Sequence, residues 1–549
     1  MKHKNKLLIV ILSVILFSGF ITRDNDIYFE INKSIDIFGR VYKEVTLNYV
    51  DQLKPEDFML AGINGMLYSL DPYTNFLDSN AQKDFDIITT GKYGGIGASI
   101  GIRNDNVTVV ELIEGYSAQR QGVRVGDIIL KINDTPITKE NFENLSEFLK
   151  GDAGTTVTMI IKRETVDHAI TFNLIREEIE IKNLTYYGFV PAESNNAYLK
   201  LSGFSHSAGA EVKKALLELK SQKEINSIVL DLRGNPGGLL DAAIDVCQKF
   251  LKKGDEIVSV IGRDSTASKT FASTEEPVLK NVKMAVLIDE GSASASEIVA
   301  GAIQDHDRAV LVGTNSYGKG LVQTLIPLSY NSSLKITTAR YYTPSGRSIQ
   351  KINYSEKNKV FETDQRLTKK EYKTEHLRKV FSAGGITPDS TVKSESGSGL
   401  VQKLLADGMF FRFATMFFNN NQKIDLNTVS SDKLIIEFGI FLKTQNFNFT
   451  SRAEKLIDQL KTAINEENLD EKFIAQLDKA KEQIDASHSK EIEKYKNDII
   501  FLIKEELAAR ISGREGRIRE SLKMDKQFST AFSILNNTNL YNRFINNVK

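Results

Sequence analysis

The sequence has few of the residues that build covalent or metal-bound frameworks. Its 549 residues include one cysteine, no tryptophan, nine prolines and six scattered histidines. The lone Cys247 excludes an internal disulfide network and any zinc site made of cysteines, and no HExxH spacing is present. We therefore expect a protein without a bound metal and without a cofactor.

The chain also lacks net charge, since 71 Lys and Arg residues balance 71 Asp and Glu residues. Such a balance provides no overall field that would hold nucleic acid or an anionic membrane surface. Hydrophobic residues at 41% and charged residues at 26% are ordinary globular values, which exclude wholesale disorder. The length predicts about three or four folded units.

A long apolar run stands at the N-terminus. Lys2, Lys4 and Lys6 precede the apolar segment Leu7–Phe17. A basic segment before a short apolar core is typical of a secretory leader, whereas a membrane-spanning helix needs about 20 apolar residues. We expect residues 1–22 to direct export to the periplasm or the cell envelope, as a signal peptide or as an uncleaved membrane anchor.

Residues 23–82 are predicted to be helical. Ile27, Ile31, Ile35 and Phe38 recur at steps of three and four residues, which is typical of an amphipathic helix, and a second helix is predicted near Pro55–Leu70. Such a pair packs on a neighbouring domain or, as an alternative, on a second copy of the chain in a homo-oligomer.

Residues 83–175 change to a β-rich pattern. A glycine loop at Tyr93–Ile100 runs into a strand, and further strands are predicted at Val107–Leu112, Asp127–Ile132 and Thr156–Arg163. A short helix is predicted at Asn141–Lys150. One interpretation is a small β-domain whose glycines only make turns.

The order of these elements resembles a PDZ domain of the bacterial protease type. The resemblance implies that a loop binds the terminal carboxylate of a peptide through its backbone N–H groups, and that the peptide adds as a strand beside residues 96–100. The residues assigned to this peptide-binding loop are Gly94, Gly95, Ile96 and Gly97.

The remaining residues form two further regions. Residues 176–390 alternate predicted strands and helices, among them apolar strands at Ser227–Leu232 and Lys283–Ile288, which indicates an α/β unit. Residues 391–549 are predicted to be helical, with a long helix at Ser489–Ile511. A capping box at Ser451 opens another helix, whose inward residues are predicted to be Leu456, Ile457, Leu460 and Ile464. The helical region could serve oligomerisation, substrate threading or an adaptor. The predicted fold class is a multidomain α+β and α/β chain.

A near match to a P-loop occurs at residues 313–320. It follows a predicted strand, but Gly320 stands where a magnesium-binding Ser or Thr is required. The next segment, Leu321–Pro327, predicts a strand and not a helix that would point its N-terminus at phosphate. Nucleotide binding is therefore excluded.

Ser294 has two interpretations. With Glu297 it fits a capping box at the start of a predicted helix, which is a purely structural role. Alternatively it is a nucleophile, because Lys319 follows the strand that returns from that helix and a strand–helix–strand unit can bring both loops to one sheet edge. His306 is an unsuitable base, since it lies at the far end of the same helix, about 18 Å away at 1.5 Å per residue.

The run from Ser292 to Glu297, followed by Tyr317 to Gln323, resembles the C-terminal processing (tail-specific) proteases, a family of serine peptidases. Further motifs of the family are Asp231–Gly238, Tyr342–Ile349 and Gly384–Asp389. The similarity covers about residues 30–390.

The resemblance implies a catalytic dyad of Ser294 and Lys319, which stand 25 positions apart, with Gln323 orienting the lysine. A neutral Lys319 would take the hydroxyl proton, which requires a lysine pKa well below 10.4. The N–H of Ala295 and that of Gly237 or Gly238 would form the oxyanion hole, and the choice between the glycines stays open.

These patterns predict an exported serine endopeptidase that binds protein C-termini through its PDZ domain and needs no cofactor. Its partners would be protein or peptide substrates and not nucleic acid. The alternative function is a catalytically silent, peptide-binding scaffold.

Overall fold

The computed structural model describes residues 22–164, 166–263, 268–354, 365–393, 397–421, 424–467 and 471–546. The predicted leader, residues 1–22, lies outside these ranges except for Thr22. Within them, no helix is both long enough and apolar enough to cross a membrane. The described residues divide into two compact units, of which the smaller contains residues 22–79, 323–337 and 354.

The smaller unit contains the predicted helical pair. The helices are Thr22–Asn48 and Pro55–Tyr68, and the second begins with its proline in the first turn as predicted. Residues beyond this pair differ from the all-helical prediction, because Asn75–Leu77 forms a strand antiparallel to residues 333–335. Asp71 explains the change, since its carboxylate accepts the N–H groups of the two residues that follow Pro72 and closes a turn.

The β-rich domain of the larger unit is a small sheet with a separate two-stranded ribbon. Counting Asn75–Leu77 as β1, its strands are β2 (Lys92–Gly95), β3 (Ala98–Arg103), β4 (Asn106–Leu112), β5 (Ile128–Ile132), β6 (Thr135–Pro136), β7 (Thr156–Lys162), β8 (Ile170–Ile175) and β9 (Glu177–Glu180). The sheet has the order β3-β4-β5-β7-β8, with β6 beside β5, and the ribbon pairs β2 with β9.

Helical elements of this domain are short. The predicted helix at residues 141–150 is a 3₁₀ turn, Lys139–Asn144, followed by one α-helical turn and a half, Leu145–Leu149. A preceding helix, Ser79–Thr90, begins at the end of the smaller unit, and Ser117–Arg120 forms a single turn after β4. Alternating residues of β4, β5 and β7 fill the domain core.

The α/β region is built on a six-stranded sheet of order β10-β11-β12-β15-β16-β23, in which the strands from β11 onward are parallel and β10 is antiparallel. Its strands are β10 (Leu184–Phe189), β11 (Asn196–Leu201), β12 (Ser227–Asp231), β15 (Lys283–Ile288), β16 (Val310–Gly313) and β23 (Ser390–Thr391). The helices on one face are Ala208–Gln222, Leu240–Gln248 and Ala295–Asp305. β12 and β15 are buried along nearly their whole length, as expected for a sheet covered on both faces.

Shorter strands accompany this sheet. β13 pairs with β14 and, through residues 259–262, with residues 339–342 of β18. The strands are β13 (Glu256–Gly262), β14 (Lys269–Ala272), β17 (Leu321–Pro327), β18 (Ser333–Tyr342), β19 (Ile352–Asn353), β20 (Gln365–Arg366), β21 (Glu371–Lys373) and β22 (Lys379–Phe381). The strand predicted at Leu321–Pro327 is confirmed. A strand therefore stands where a P-loop would be followed by a helix.

The C-terminal region is helical, as predicted. Its helices are Gly399–Ala406, Met409–Asn420, Ser431–Thr444, Arg452–Glu466, Glu471–Lys494, Lys496–Ser521, Lys526–Asn536 and Thr538–Ile545. The last two cover the second face of the six-stranded sheet, where Phe528 and Ala531 pack against Val229 and Leu287. The multidomain α+β and α/β prediction is confirmed.

Two predictions within this region were wrong in detail. The long helix predicted at residues 489–511 is divided at Tyr495, whereas its predicted end agrees with the non-helical backbone at Ser512 and Gly513, where Gly513 has φ 58°. The capping box at Ser451 is present, but Leu456 and Leu460 are about half exposed and not inward. Their helix packs mainly along Glu471–Lys494, so that only part of the apolar stripe is covered.

Candidate active site

Three loops meet at the carboxyl edge of the six-stranded sheet. β12 leads into the glycine loop 232–238, β15 leads into the turn 289–294, and β16 leads into the segment that contains Lys319. These strands are direct neighbours and parallel, so the loops that follow them emerge side by side. The edge thus brings together the three segments that the motifs singled out.

Ser294 stands at the N-terminus of the buried helix Ala295–Asp305 in a strained conformation. Its backbone has φ 54° and ψ −113°, a region that residues with a side chain rarely adopt. The Ser294 N–H donates to Oε2 of Glu297 at 2.9 Å, and the Glu297 N–H donates to the carbonyl oxygen of Ser294 at 2.8 Å. The capping box predicted for Ser294 and Glu297 is therefore present, so the structural role and a place at the site are combined in the same residue.

The carboxylate of Glu297 connects the serine turn to the lysine segment. Oε1 accepts hydrogen bonds from the Ser316 hydroxyl at 2.5 Å and the Gly318 N–H at 2.8 Å. Oε2 accepts from the Ser294 N–H and the Lys319 N–H, both at 2.9 Å. Since both nitrogens contact one oxygen, the Ser294 and Lys319 amides lie at most about 6 Å apart.

Glu297 is fully buried, and burial disfavours its charged form. This desolvation raises the pKa of Glu297 from 4.5 to about 7, against the opposing effect of the hydrogen bonds that it accepts. When Glu297 becomes protonated near neutral pH, the proton lies on one of its two carboxylate oxygens, each of which already faces hydrogen-bond donors.

Tyr341 provides a second connection between the same two residues. Its hydroxyl lies 3.3 Å from the carbonyl oxygen of Ser294 and also contacts the carbonyl oxygen of Lys319. The ring is buried in β18, which pairs with β13. Ser294 and Lys319 are thus held by one buried carboxylate through their N–H groups and by one buried phenol through their carbonyl groups.

The glycine loop lies directly against the serine turn. The carbonyl oxygen of Asn235 accepts the Ala293 N–H at 3.0 Å and the Ser296 hydroxyl at 2.9 Å. A side chain at Gly237, which has φ 99°, would place its Cβ 2.6 Å from the Ala293 carbonyl oxygen and 2.9 Å from Cβ of Ser294. This close approach requires glycine at position 237.

The two loop glycines differ in what their N–H groups do. The Gly237 N–H donates to Oδ1 of Asn235 at 2.9 Å. In the part of the chain that the structure describes, the N–H groups of Gly238 and Ala295 have no hydrogen-bond acceptor. A pair of unused backbone donors beside a serine is what an oxyanion hole requires.

The other predicted site residues are spread over both units. Gln323 belongs to the smaller unit, where its amide donates to the Thr337 hydroxyl at 3.2 Å. In the β-rich domain, Gly94 and Gly95 lie in β2 and not in a loop, because Lys92–Gly95 pairs with β9. Ile96 and Gly97 form the connection from β2 to β3, where Gly97 has φ 77°.

His306 lies away from the serine, as predicted. It ends the helix, and its Nε2 lies 2.7 Å from the carbonyl oxygen of Glu256. Its neighbour Asp305 is buried against the guanidinium of Arg347 at 2.9 Å, which gives Asp305 a structural role. Across the described ranges, no group of His, Cys, Asp and Glu side chains is arranged to hold a metal ion.

Comparisons with known proteins agree with this architecture. A model of peptidase family S41 matches residues 195–356, a PDZ domain model matches residues 108–163, and a model described as the C-terminal helical domain of a probable PDZ-protease matches residues 400–535. Among curated proteins, a carboxy-terminal-processing protease of Bartonella bacilliformis is 39% identical over 343 residues, which cover 62% of this chain and 77% of the relative. The chain belongs to the carboxy-terminal processing proteases.

Two further proteins match a similar share of this chain. Carboxy-terminal processing protease CtpB of Bacillus subtilis is 30% identical, with coverage of 59% of this chain and 67% of the relative. Among solved structures, the photosystem II D1 C-terminal processing protease is 26% identical, covers 64% of this chain and 85% of its own, and has a TM-score of 0.36. As an S41 family member, the chain is a serine-type peptidase with a PDZ domain.

Sequence reasoning missed the part that Glu297 plays in the carboxy-terminal processing protease. Glu297 entered only as the partner of Ser294 in a capping box, although it also binds the backbone of Gly318 and Lys319. The available signal in the sequence was a charged residue within the otherwise uncharged run 295–303, close after the serine. Tyr341 carried no such signal, because its strand is far from Ser294 in the sequence.

Proposed function

We propose that this carboxy-terminal processing protease hydrolyses peptide bonds with Ser294 as nucleophile and Lys319 as general base. The observation that carries the proposal is the Glu297 carboxylate, which binds the N–H groups of both residues through one oxygen. A serine needs an adjacent base to become a nucleophile, and a neutral lysine is such a base.

In the proposed mechanism, the Nζ of Lys319 takes the hydroxyl proton while Oγ of Ser294 attacks the carbonyl carbon of the scissile bond. The resulting oxyanion would accept hydrogen bonds from the N–H groups of Ala295 and Gly238, because the Gly237 N–H already donates to Oδ1 of Asn235. Lys319 then returns the proton to the leaving amine. Water attacks the acyl-enzyme by the same route and releases the product acid.

The role of Gln323 in this proposal comes from the family resemblance, by which the glutamine would orient Lys319. Gln323→Ala should lower kcat while KM changes little, because the residue is assigned no contact with substrate. An unchanged kcat would remove Gln323 from the mechanism and leave the dyad unaffected.

The dyad is tested with purified Ser294→Ala and Lys319→Ala proteins against a casein or reporter-protein substrate. We expect each variant to lose cleavage below detection while its circular dichroism spectrum matches the parent. Labelling of Ser294 by a fluorophosphonate should occur in the parent protein and fail in Ser294→Ala. Undiminished proteolysis by Lys319→Ala would refute the dyad, and an unlabelled parent would favour a peptide-binding scaffold.

We also propose that the PDZ domain selects substrates by their free C-termini. In the described part of its sheet, β3 is an edge strand with a neighbour on one side, and the Ile96–Gly97 connection precedes it. An extended peptide could pair with that edge while its carboxylate binds backbone N–H groups of the connection. Amidating the C-terminus of a test peptide should weaken its binding by at least about tenfold.

Export is the third part of the proposal and rests on the basic and apolar pattern of residues 1–22. The protein is expected in the periplasm or the cell envelope. Deleting residues 2–22 should retain the enzyme in the cytoplasmic fraction, as measured by cell fractionation and immunoblotting. An unchanged distribution would contradict export through this segment.

A further inference from the structure

The C-terminal helical region contacts the glycine loop of the active site. Its helix Lys526–Asn536 packs on the six-stranded sheet, and Oδ1 of Asp525 caps that helix by accepting the N–H of Phe528 at 2.9 Å. Oδ2 of Asp525 lies 2.6 Å from Nη2 of Arg233, which belongs to the glycine loop 232–238 after β12. One carboxylate therefore caps a C-terminal helix and binds the active-site loop.

A second residue of the same helix binds the same guanidinium group. Oε1 of Gln527 accepts a hydrogen bond from Nη1 of Arg233 at 2.9 Å, and Nε2 of Gln527 donates to the carbonyl oxygen of Val392 at 2.7 Å. Gln527 is 6% exposed, and the Arg233 side chain is 16% exposed. These hydrogen bonds lie largely out of solvent, where a charged donor binds more strongly and salt screens it little.

The other donors of the Arg233 side chain bind Asp231 at the end of β12. Nε lies 3.0 Å from Oδ1 and Nη2 lies 2.6 Å from Oδ2 of Asp231, which is 1% exposed. Nζ of Lys200 also lies 3.1 Å from this carboxylate. Two cations thus contact one buried carboxylate of the core, and Asp525 supplies a second carboxylate. Because a buried charge without a partner is costly, Asp525 compensates the positive charge of Arg233.

The backbone of Arg233 forms part of a tight turn. Its N–H donates to Oδ1 of Asp231 at 2.9 Å, and its carbonyl oxygen accepts a hydrogen bond from Nζ of Lys200 at 2.7 Å. The N–H of Asn235 donates to the carbonyl oxygen of Leu232 at 3.1 Å, which closes the turn around Arg233. The position of the Arg233 side chain therefore bears directly on the position of Asn235.

Asn235 in turn binds both the serine turn and the rest of the glycine loop. Its carbonyl oxygen accepts the Ala293 N–H at 3.0 Å, and its Oδ1 accepts the Gly237 N–H at 2.9 Å. A displacement of Arg233 would thus change the distance from the Gly238 N–H to the oxygen that it is proposed to bind. Oxyanion donors act only at hydrogen-bond distance, so such a displacement lowers kcat.

We propose that Asp525 and Gln527 are positioning residues for the peptidase reaction. They hold the guanidinium group of Arg233, and through it the turn 232–235, so that the Gly238 N–H faces the oxyanion. The end of the C-terminal helical region is then a working part of the active site. The inference rests on the proposed oxyanion hole of Ala295 and Gly238.

The first test separates the two roles of Asp525 in the full-length protein. Asp525→Ser keeps a hydroxyl that can cap the helix but is too short to bind Arg233, whereas Asp525→Ala loses both contacts. We expect kcat on a reporter peptide to fall about tenfold in both variants while KM changes little. Asp525→Ala should unfold at a lower temperature than Asp525→Ser. A kcat that falls only in Asp525→Ala, together with the loss of the cap, would overturn the inference.

Labelling of Ser294 by a fluorophosphonate gives a second readout of the same variants. The phosphonyl oxygen would occupy the oxyanion hole, so the labelling rate of Asp525→Ser should fall together with kcat. Labelling is measured well below the unfolding temperature, where a purely structural role of Asp525 would not slow it. A labelling rate equal to that of the parent would overturn the inference.

A matched pair of substitutions tests Gln527 independently. Gln527→Glu and Gln527→Met both lose the hydrogen bond to Val392, but only the glutamate keeps an acceptor for Arg233. We expect kcat to be about fivefold lower in Gln527→Met than in Gln527→Glu, because only the methionine releases the guanidinium group. An equal kcat in the two variants would show that the contact with Arg233 has no part in catalysis.

The control and the parent protein distinguish this inference from the proposed dyad. Asp432→Ser removes a surface ion pair with Lys496 inside the helical region, at 2.8 Å, and should leave kcat unchanged. Cleavage by Ser294→Ala would refute the proposed nucleophile, whatever the Asp525 variants do. Loss of cleavage in Ser294→Ala together with a normal kcat in Asp525→Ser would refute the positioning role alone.

Discussion

Replacing Glu297 by glutamine should separate the stability of this protease from its activity. Glutamine keeps the shape of the side chain and one acceptor oxygen, but its amide group donates. The four donors around Glu297 are the N–H groups of Ser294, Gly318 and Lys319 and the hydroxyl of Ser316. In either orientation of the amide, two of them face an NH₂ group.

The expected stability change follows from the pKa of Glu297, which burial raises from 4.5 to about 7. Because the folded state binds this proton more tightly than the unfolded state, the contribution to stability is full below pH 4.5 and is lost as pH rises through 7. At 1.36 kcal/mol per pKa unit, the ionised carboxylate costs about 3 kcal/mol at pH 8. Glutamine cannot ionise and avoids this cost.

We therefore expect Glu297→Gln to match the parent in stability at pH 4.5 and to exceed it by about 3 kcal/mol at pH 8. For a core of about 200 residues, this difference corresponds to a rise in Tm of roughly 6–10 °C. The assay is scanning calorimetry in the Ser294→Ala background, which prevents self-digestion. Glu211→Gln is the matched control, because Glu211 also accepts several hydrogen bonds but belongs to the helix Ala208–Gln222.

Activity should change in the opposite direction. The amide would displace either the Ser294 and Lys319 pair or the Gly318 segment, and we expect kcat to fall about 10- to 100-fold at pH 8, which is about 1.4–2.7 kcal/mol of barrier. In the parent enzyme, kcat should fall as pH drops through about 7, and Glu297→Gln should lack that limb. Parallel pH–stability curves for parent and variant, or an unchanged kcat, would refute the reasoning.

Two further predictions concern the frame around the site. Gly237→Ala should abolish activity, because its Cβ would lie 2.6 Å from the Ala293 carbonyl oxygen at φ 99°; assay of the folded variant checks this, and normal kcat would contradict it. Arg347→Met should destabilise the core by about 3–5 kcal/mol, because it leaves the buried carboxylate of Asp305 without its cation. Calorimetry measures the loss, and exposed Arg40→Met, which breaks only a surface pair with Asp36, should have little effect.

Much of the architecture could be predicted because it depends on short-range patterns. The parallel strands β12 and β15 were predicted from continuous apolar runs, and the helix after Ser294 from its capping box. The division at Tyr495 was missed, because no glycine or proline interrupts the charged helical pattern there. Leu456 and Leu460 were predicted to face inward but are exposed, because hydrophobic periodicity shows which face of a helix is apolar and not whether another element covers it.

The sequence alone determined the family, the motif residues and the order of the domains, since spacing and local pattern carry that information. Tertiary structure decided what those residues do to one another. One buried carboxylate accepts the N–H groups of both Ser294 and Lys319. The Gly237 N–H donates to Asn235, while the Gly238 N–H has no acceptor among the residues that the structure describes. Tertiary structure also pairs Arg233 with Asp525, which are far apart in the chain. The physical reason is that the burial of a group and its hydrogen-bond partners depend on which distant segments of the chain come into contact. A chain poor in cysteine and metal ligands holds such segments together by packing.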